Sequence, residues 1–169
     1  MSCAGTFYGL DKRSGQVRWS YDIRKDGDQT IFHGNPLVTE DLIIIGTDGQ
    51  AIGHVYAFEK RIGRLAWKYP ITHGLPERYG VPTDIVRSGS NVYAVAIGDE
   101  LLCLDLKSGH LKWSLQKPYT KEQQGWNSTP SVAGGRVYLG ALNGSTYALD
   151  AENGKVIWSR SLSRIQLWA

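Results

Sequence analysis

One twelve-residue pattern occurs four times in this chain of 169 residues. In each copy, tryptophan follows a glycine by four residues, and an acidic residue precedes the same glycine by four. The glycines are Gly15, Gly63, Gly109 and Gly154, which lie 48, 46 and 45 residues apart. The tryptophans are Trp19, Trp67, Trp113 and Trp158, and the acids are Asp11, Glu59, Asp105 and Asp150. This period is typical of propeller blades and too long for most short-repeat solenoids.

The residues on either side of each glycine alternate with a period of two. In the last copy, "YALDAENGKVIW", Tyr147 and Leu149 share one face of a strand, and Val156 and Trp158 share a face of the next. This period is typical of β-strands. A turn between two such strands needs a residue that tolerates positive φ, which glycine supplies, and the acid can accept backbone N–H bonds. Each copy therefore predicts a β-hairpin.

A second strand pair precedes three of the hairpins. The segments "NPLVTEDLIIIGTDG" and "TPSVAGGRVYLGALNG" share one scheme, and "VPTDIVRSGSNVYAVAIGDE" repeats it with a longer lead. Each complete unit is thus predicted to be a four-stranded antiparallel meander, with about fourteen strands in the chain and no convincing helical segment. Such units must stack to bury both faces, which predicts an all-β propeller. The predicted units are a half blade at 1–30 and blades at 31–79, 80–126 and 127–169.

The tryptophan has a predicted role between blades. It is the largest apolar side chain of each hairpin, and its N–H needs a partner when it is buried. We expect it to fill the gap between one blade and the next. Trp67 and Trp113 have a blade on either side, whereas Trp19 belongs to the incomplete first unit and is expected to contribute less.

The pattern aromatic-small-Leu-Asp-x-x-x-Gly-x-x-x-Trp resembles the tryptophan-docking repeat of the pyrroloquinoline-quinone (PQQ)-like β-propellers. That family includes quinoprotein alcohol and sugar dehydrogenases and the propeller lipoprotein of the outer-membrane barrel-assembly machine. Its members usually close rings of seven or eight blades. The resemblance therefore implies that further blades, from a longer chain or from a second copy, complete the ring. It also implies a periplasmic or extracellular location, although "MSCAGTFYGL" lacks the basic and apolar regions of a secretory signal.

The chemistry implied by the dehydrogenases is not matched by this sequence. Those relatives hold PQQ beside adjacent cysteines, with a stacking tryptophan and a calcium bound by Glu, Asn and Asp. Here Cys3 and Cys103 are far apart and the haem motif Cys-x-x-Cys-His is missing. We therefore expect no catalytic residue, no metal site and no cofactor. The alternative is a part of a PQQ-dependent dehydrogenase, which would use PQQ with calcium.

The candidate binding residues lie on the connections into the innermost strands, which are expected to meet at the mouth of the central channel. These connections read "TIFHGNP", "HGLPERYGVPTD" and "QGWNSTP". The candidates are His33, Asn35, Tyr79, Asp84, Trp126, Asn127 and Ser128. Two interpretations stay open. These residues form a site for a ligand or peptide, or they only form turns, with Trp126 covering a blade edge.

Composition narrows the class of partner. The net charge is +3 and both signs are scattered along the chain, which does not favour a nucleic-acid surface. No apolar run is long enough to cross a bilayer. The sequence therefore predicts a non-catalytic scaffold that binds a protein, a peptide or another ligand.

Overall fold

The structure, a computed structural model, is a series of antiparallel β-sheets that follow one another along the chain. It describes residues 2–3, 5–27, 32–49, 52–72, 74–75, 78–97, 100–116, 126, 128–141 and 143–162. Sheet I consists of β1 (Ser2–Cys3), β2 (Thr6–Leu10) and β3 (Val17–Asp22). Its last strand runs into a single 3₁₀ turn over Ile23–Asp26, which Gly27 ends at a φ of 86°.

Three four-stranded sheets follow, each in the order of the sequence. Sheet II consists of β4 (Leu37–Val38), β5 (Leu42–Gly46), β7 (Gly53–Glu59) and β8 (Leu65–Ile71). Sheet III consists of β11 (Val86–Ser88), β12 (Asn91–Ala96), β13 (Glu100–Asp105) and β14 (Leu111–Gln116). Sheet IV consists of β15 (Ser131–Ala133), β16 (Arg136–Gly140), β17 (Ser145–Asp150) and β18 (Val156–Ser161). The predicted all-β architecture of four-stranded antiparallel blades is confirmed.

A small sheet was not predicted. The segment after β8 forms β9 (Gly74–Leu75) and β10 (Arg78–Gly80), and β10 also pairs with β6 (Asp48–Gly49). With β1, these strands bring the number to eighteen over the described residues. The prediction of about fourteen strands is therefore too low. Strands of two or three residues carry too little alternation for a sequence pattern to reveal them.

Each long hairpin has the same irregularity beside its tryptophan. The register shifts by one residue just after the pair Gly9–Trp19, and at the same place after Ala57–Trp67, Cys103–Trp113 and Ala148–Trp158. At Gly9 an added Cβ would lie 2.1 Å from the Trp19 ring. The small residue therefore leaves room for the tryptophan of its own hairpin.

The core is divided into three layers, one between each pair of successive sheets. Phe7 of sheet I packs with Tyr56 and Phe58 of sheet II. Alternate residues of sheet III face opposite ways, so that Leu102 packs towards sheet II and Leu101 packs towards sheet IV. This alternation lets a central sheet bury both of its faces. No helix among the described residues has the length and apolar character needed to span a membrane.

Candidate functional site

The segments that run into β4, β11 and β15, here called the lead-in segments, are joined by hydrogen bonds around Asp84. One oxygen of Asp84, Oδ1, accepts the backbone N–H of Asn35 at 2.6 Å. The side-chain amide of Asn35 donates to the two carboxylate oxygens at 3.2 and 3.3 Å. The backbone N–H of Asp84 donates to the hydroxyl of Thr129 at 3.3 Å. Residues from three lead-in segments therefore meet at one point, where Asn35 is exposed and Asp84 is half-buried.

A second polar pair joins the first of these segments to β6. Nδ1 of His33 is 2.9 Å from Oδ2 of Asp48, whose side chain is only 5% exposed, whereas His33 is 52% exposed. The other oxygen of Asp48, Oδ1, is buried without a hydrogen-bond partner among the described residues. The exposed imidazole of His33 is therefore the solvent-accessible member of a pair whose carboxylate is buried.

Close backbone packing holds the first two lead-in segments together. A Cβ added at Gly34 would lie 2.5 Å from the carbonyl oxygen of Thr83. Only a residue without a side chain fits at this distance. His33, Asn35 and Asp84 therefore belong to one surface, here called the lead-in cluster together with Thr129.

The other candidates have different surroundings. Ser128 exchanges hydrogen bonds with the backbone of Gly140 in its own sheet, at 3.1 and 3.3 Å. Trp126 is 4% exposed and packs in the core between sheets III and IV, with its ring 4.9 Å from that of Tyr147. Its burial favours the structural interpretation. The backbone of Tyr79 pairs in β10, and Asn127 lies outside the described residues.

Sequence reasoning missed Asp48 and Thr129. Thr129 precedes Pro130 as Asn35 precedes Pro36, and this shared position could have identified it. Asp48 carried no such signal, because its contact with His33 arises from packing across fifteen residues of chain.

The repeated tryptophans lie against the glycine turns of the following sheets. A Cβ added at Gly63, Gly109 or Gly154 would lie 2.2–2.5 Å from the ring of Trp19, Trp67 or Trp113, respectively. Each indole N–H also donates to the carbonyl three residues before that glycine, which belongs to Lys60, Leu106 and Ala151 at 3.3, 3.1 and 3.2 Å. Trp19 thus makes the same type of junction as the other two.

The acidic residues hold these turns closed. Oδ1 of Asp105 accepts N–H bonds from Lys107 and Ser108 at 3.1 and 3.0 Å, and Asp11 and Asp150 make the equivalent bonds. The bond from the Ser108 backbone is the main cause that lowers the pKa of Asp105 to about 2. Glu59 is one methylene longer and forms an ion pair with Arg64.

A separate cleft of about 780 Å³ lies beside sheet I. It is lined by Leu10, Asp11, Lys12, Arg13, Arg18, Val38 and Lys60. Apolar and basic groups share this lining, and none of the lead-in cluster belongs to it.

The described residues do not fit the calcium and PQQ site of the dehydrogenases. No three His, Cys, Asp or Glu side chains come together in the described part of the chain in a group that could hold a metal ion. Cys103 is buried and free, and burial raises the pKa of its thiol to about 11. A buried protonated thiol behaves as a small apolar group.

Stacked antiparallel sheets joined by tryptophan-to-turn junctions define the class of β-propeller repeat proteins. A family model described as outer membrane protein assembly factor BamB matches residues 2–167. The chain therefore belongs to this family of PQQ-like repeats.

Relatives and solved structures agree with this assignment. Outer membrane protein assembly factor BamB of Yersinia pestis is 28% identical over 93% of the chain and 39% of its own length. Quinohemoprotein alcohol dehydrogenase ADH-IIG of Pseudomonas putida is 28% identical over 88% of the chain and 22% of its own length. The crystal structure of BamB from Moraxella catarrhalis superposes with a TM-score of 0.70 at 18% identity, over 99% of this chain and 48% of that one. The chain thus spans less than half of each of these proteins.

Proposed function

We propose that this chain is a non-catalytic scaffold whose lead-in cluster binds a protein or peptide partner. The observation that carries the proposal is the convergence of three lead-in segments on Asp84. Repetition of one blade brings the equivalent end of each sheet to the same side, and the groups presented there differ from blade to blade. The cluster offers an imidazole, an amide and a carboxylate, which can donate to and accept from a peptide backbone.

The family assignment supports a binding role outside the cytoplasm. A relative that is 28% identical over 93% of the chain is named as an outer membrane protein assembly factor. By analogy we assign this chain to an extracytoplasmic assembly in which it contacts protein partners. The remaining blades of the ring come from a longer chain or from a second copy.

The second candidate function is part of a PQQ-dependent dehydrogenase. The similarity to quinohemoprotein alcohol dehydrogenase ADH-IIG favours it. The donor groups described above do not fit calcium and PQQ, since calcium needs six to eight oxygen ligands. We therefore propose that this chain itself holds no cofactor.

A peptide selection tests the scaffold proposal. Linear peptides recovered from a random library on the wild-type chain are labelled, and their affinities are measured by fluorescence anisotropy. We expect His33→Ala and Asp84→Asn to weaken binding about tenfold or more, as for other central interface residues. The matched control is Ile157→Ala, a 47% exposed position on β18, which is expected to bind like the wild type.

The variants are first compared with the wild type by thermal denaturation, so that an unfolded chain is not mistaken for lost recognition. Recovery of no peptide, or equal affinity in all four proteins, would contradict the proposal.

The dehydrogenase alternative is tested with the cofactor itself. Because a ligand that binds only the native state raises the melting temperature by mass action, micromolar PQQ with calcium should stabilise a quinoprotein. We expect no shift. A saturable rise would favour the dehydrogenase.

A further inference from the structure

The hydrogen bonds within the lead-in cluster leave acceptor atoms available for a ligand. The backbone N–H of Asn35 donates to Asp84, and the backbone N–H of Asp84 donates to Thr129. The two donors are therefore occupied. Among the described residues, the Asp84 carboxylate accepts hydrogen bonds only from Asn35, and its Oδ2 receives only the long bond of 3.3 Å. Because a carboxylate has about four acceptor positions, Asp84 can accept further bonds from a ligand.

The neighbouring imidazole adds another acceptor. Nδ1 of His33 lies 2.9 Å from Oδ2 of Asp48. Since a carboxylate only accepts hydrogen bonds, Nδ1 carries the proton in this pair. In the neutral imidazole the second ring nitrogen, Nε2, is then an acceptor, and none of the described residues donates to it. The side chain of His33 is 52% exposed, so a ligand can reach this ring.

The carboxylate behind the imidazole is incompletely paired. The side chain of Asp48 is only 5% exposed, and its Oδ1 is buried with no hydrogen-bond partner among the described residues. The hydroxyl of Thr83, next to Asp84 in the sequence, is also buried without one. Buried carboxylates are normally paired, and buried polar atoms without a partner are uncommon. In the described part of the chain, no lysine or arginine pairs with Asp48 or Asp84.

We propose that the partner of the lead-in cluster presents a basic side chain, arginine or lysine, whose cationic head contacts Asp84 and lies beside the imidazole of His33. Asp48 is a positioning residue in this arrangement. It fixes the orientation of the imidazole, and its buried carboxylate favours a cation at the surface nearby. This inference rests on the proposed function, since it names the chemistry of the partner that the same surface binds.

The balance of donors and acceptors favours a cation over other ligand groups. A carboxylate or phosphate would bring acceptors to acceptors, whereas an ammonium has three donors, a guanidinium has five, and neither has an acceptor. A guanidinium also stacks on aromatic rings, and the exposed ring of His33 offers such a face. The whole chain carries a net charge of +3, which disfavours non-specific attraction of a basic peptide. A preference for basic peptides would therefore report on a local acidic surface.

Peptide pools that differ at one position test this chemistry. Each pool is random in uncharged residues except for a fixed central residue, which is arginine, lysine, citrulline or glutamate. Citrulline has nearly the shape of arginine without its charge. We expect the immobilised arginine and lysine pools to capture about tenfold more of the labelled chain than the citrulline pool, because hydrogen bonds between charged groups are stronger than neutral ones. The glutamate pool should capture least.

Three variants locate the preference on the chain. Asp84→Asn keeps the shape of the side chain and removes its charge, and it should bring the capture ratio of the arginine and citrulline pools to about one. Asp48→Asn should lower this ratio several-fold. Glu40→Gln removes the same charge at an exposed position between β4 and β5, and this matched control should keep the wild-type ratio. Thermal denaturation first shows that each variant is folded.

Three results would overturn the inference. Equal capture by the arginine and citrulline pools would reject recognition of a basic group and leave the scaffold proposal standing. Failure of all pools to capture the chain would contradict the scaffold proposal as well. A wild-type ratio in folded Asp84→Asn or Asp48→Asn would place the bound cation elsewhere on the chain.

Discussion

At the scale of single residues, Trp19, Trp67 and Trp113 each join one sheet to the next. Trp67 is buried, and Trp19 and Trp113 are half-buried. We expect Trp67→Ala to lower the free energy of unfolding by about 3–5 kcal/mol, in the range of other buried aromatic truncations. Trp19→Ala should cost somewhat less and resemble Trp113→Ala, because both rings are half-buried at the same type of junction.

Urea denaturation of the three variants gives the comparison, with Trp158→Ala as the reference, because none of the described glycine turns receives Trp158. Losses no larger than that of the reference would show that the junctions contribute little. That Trp19 contributes less than Trp67 stays a prediction, and the structure bases it on the half-burial of the Trp19 ring instead of on an incomplete unit. Its partner is the turn of the following sheet, not of the preceding one.

A matched pair of glycine substitutions can separate the contact with a tryptophan ring from the backbone strain of positive φ. Gly109 has a φ of 69° and contacts the Trp67 ring, whereas Gly135 has a φ of 70° and no described atom within 4 Å of an added Cβ. Gly135→Ala should therefore cost only the backbone strain of about 1–2 kcal/mol. Gly109→Ala should cost clearly more, since its Cβ would lie 2.5 Å from the ring. Similar midpoints of thermal unfolding in both variants would contradict close docking.

The cap of the third turn predicts a dependence on pH. The folded pKa of Asp105 is about 2, below the unfolded value of about 3.9. Its stabilising contribution is therefore complete above about pH 4 and is lost as the pH falls towards 2. Asp105→Asn should lower stability at pH 7 by about 1 kcal/mol and by progressively less below pH 4.

Urea midpoints of both proteins at several pH values check this, with Glu40→Gln at an exposed position as a control that should match the wild type at pH 7. A constant gap between Asp105→Asn and the wild type from pH 7 to 2.5 would rule out the cap as its source.

At the scale of elements, the small sheet depends on one glycine. Gly80 has a φ of 124°, and a Cβ there would lie 2.1 Å from the carbonyl oxygen of Thr47. Because backbone cannot move aside as a side-chain tip can, Gly80→Ala should separate β10 from β6 and lower the melting temperature by several degrees. Gly89→Ala, with positive φ but open space, is the matched control and should cost much less. Equal shifts would mean that the close contact with β6 is not needed for stability.

At the scale of the whole molecule, burial predicts a gradient of local stability. All six residues of β12 are buried, and β13 is buried over Leu101–Leu104. The corresponding strand of sheet IV, β17, is largely half-buried, and β2 of sheet I is similar. In a repeat protein each unit is stabilised by its neighbours, so a sheet with a neighbour on both faces, such as sheet III, should open later than the first and last sheets.

Hydrogen exchange of the chain measures this gradient. We expect the amides of β12 and β13 to exchange most slowly and those of β2 and β17 faster. Uniform protection across the sheets would indicate that the chain opens as one cooperative unit.

Much of the architecture was predictable because it depends on short-range patterns. The spacing of Gly109 and Trp113 fixes a hairpin, and its fourfold recurrence fixes a stack of similar sheets. Strands as short as β9 were not predictable, because two residues cannot show a period. In the candidate site, the lead-in segments were found from their position before the inner strands, but the burial of Trp126 depends on the neighbouring sheet.

The sequence by itself determined the repeat, the hairpins, the tryptophan and glycine of each junction, and the family. Only the tertiary structure decided that Asp84 meets Asn35 across 49 residues of chain, that His33 meets Asp48, and that Trp19, Trp67 and Trp113 each dock on the following sheet. The physical reason is the separation along the chain between the residues that interact. Local alternation reports which face of a strand is apolar, whereas contacts between sheets depend on how the twisted blades stack and on which polar groups that stacking brings within hydrogen-bond distance.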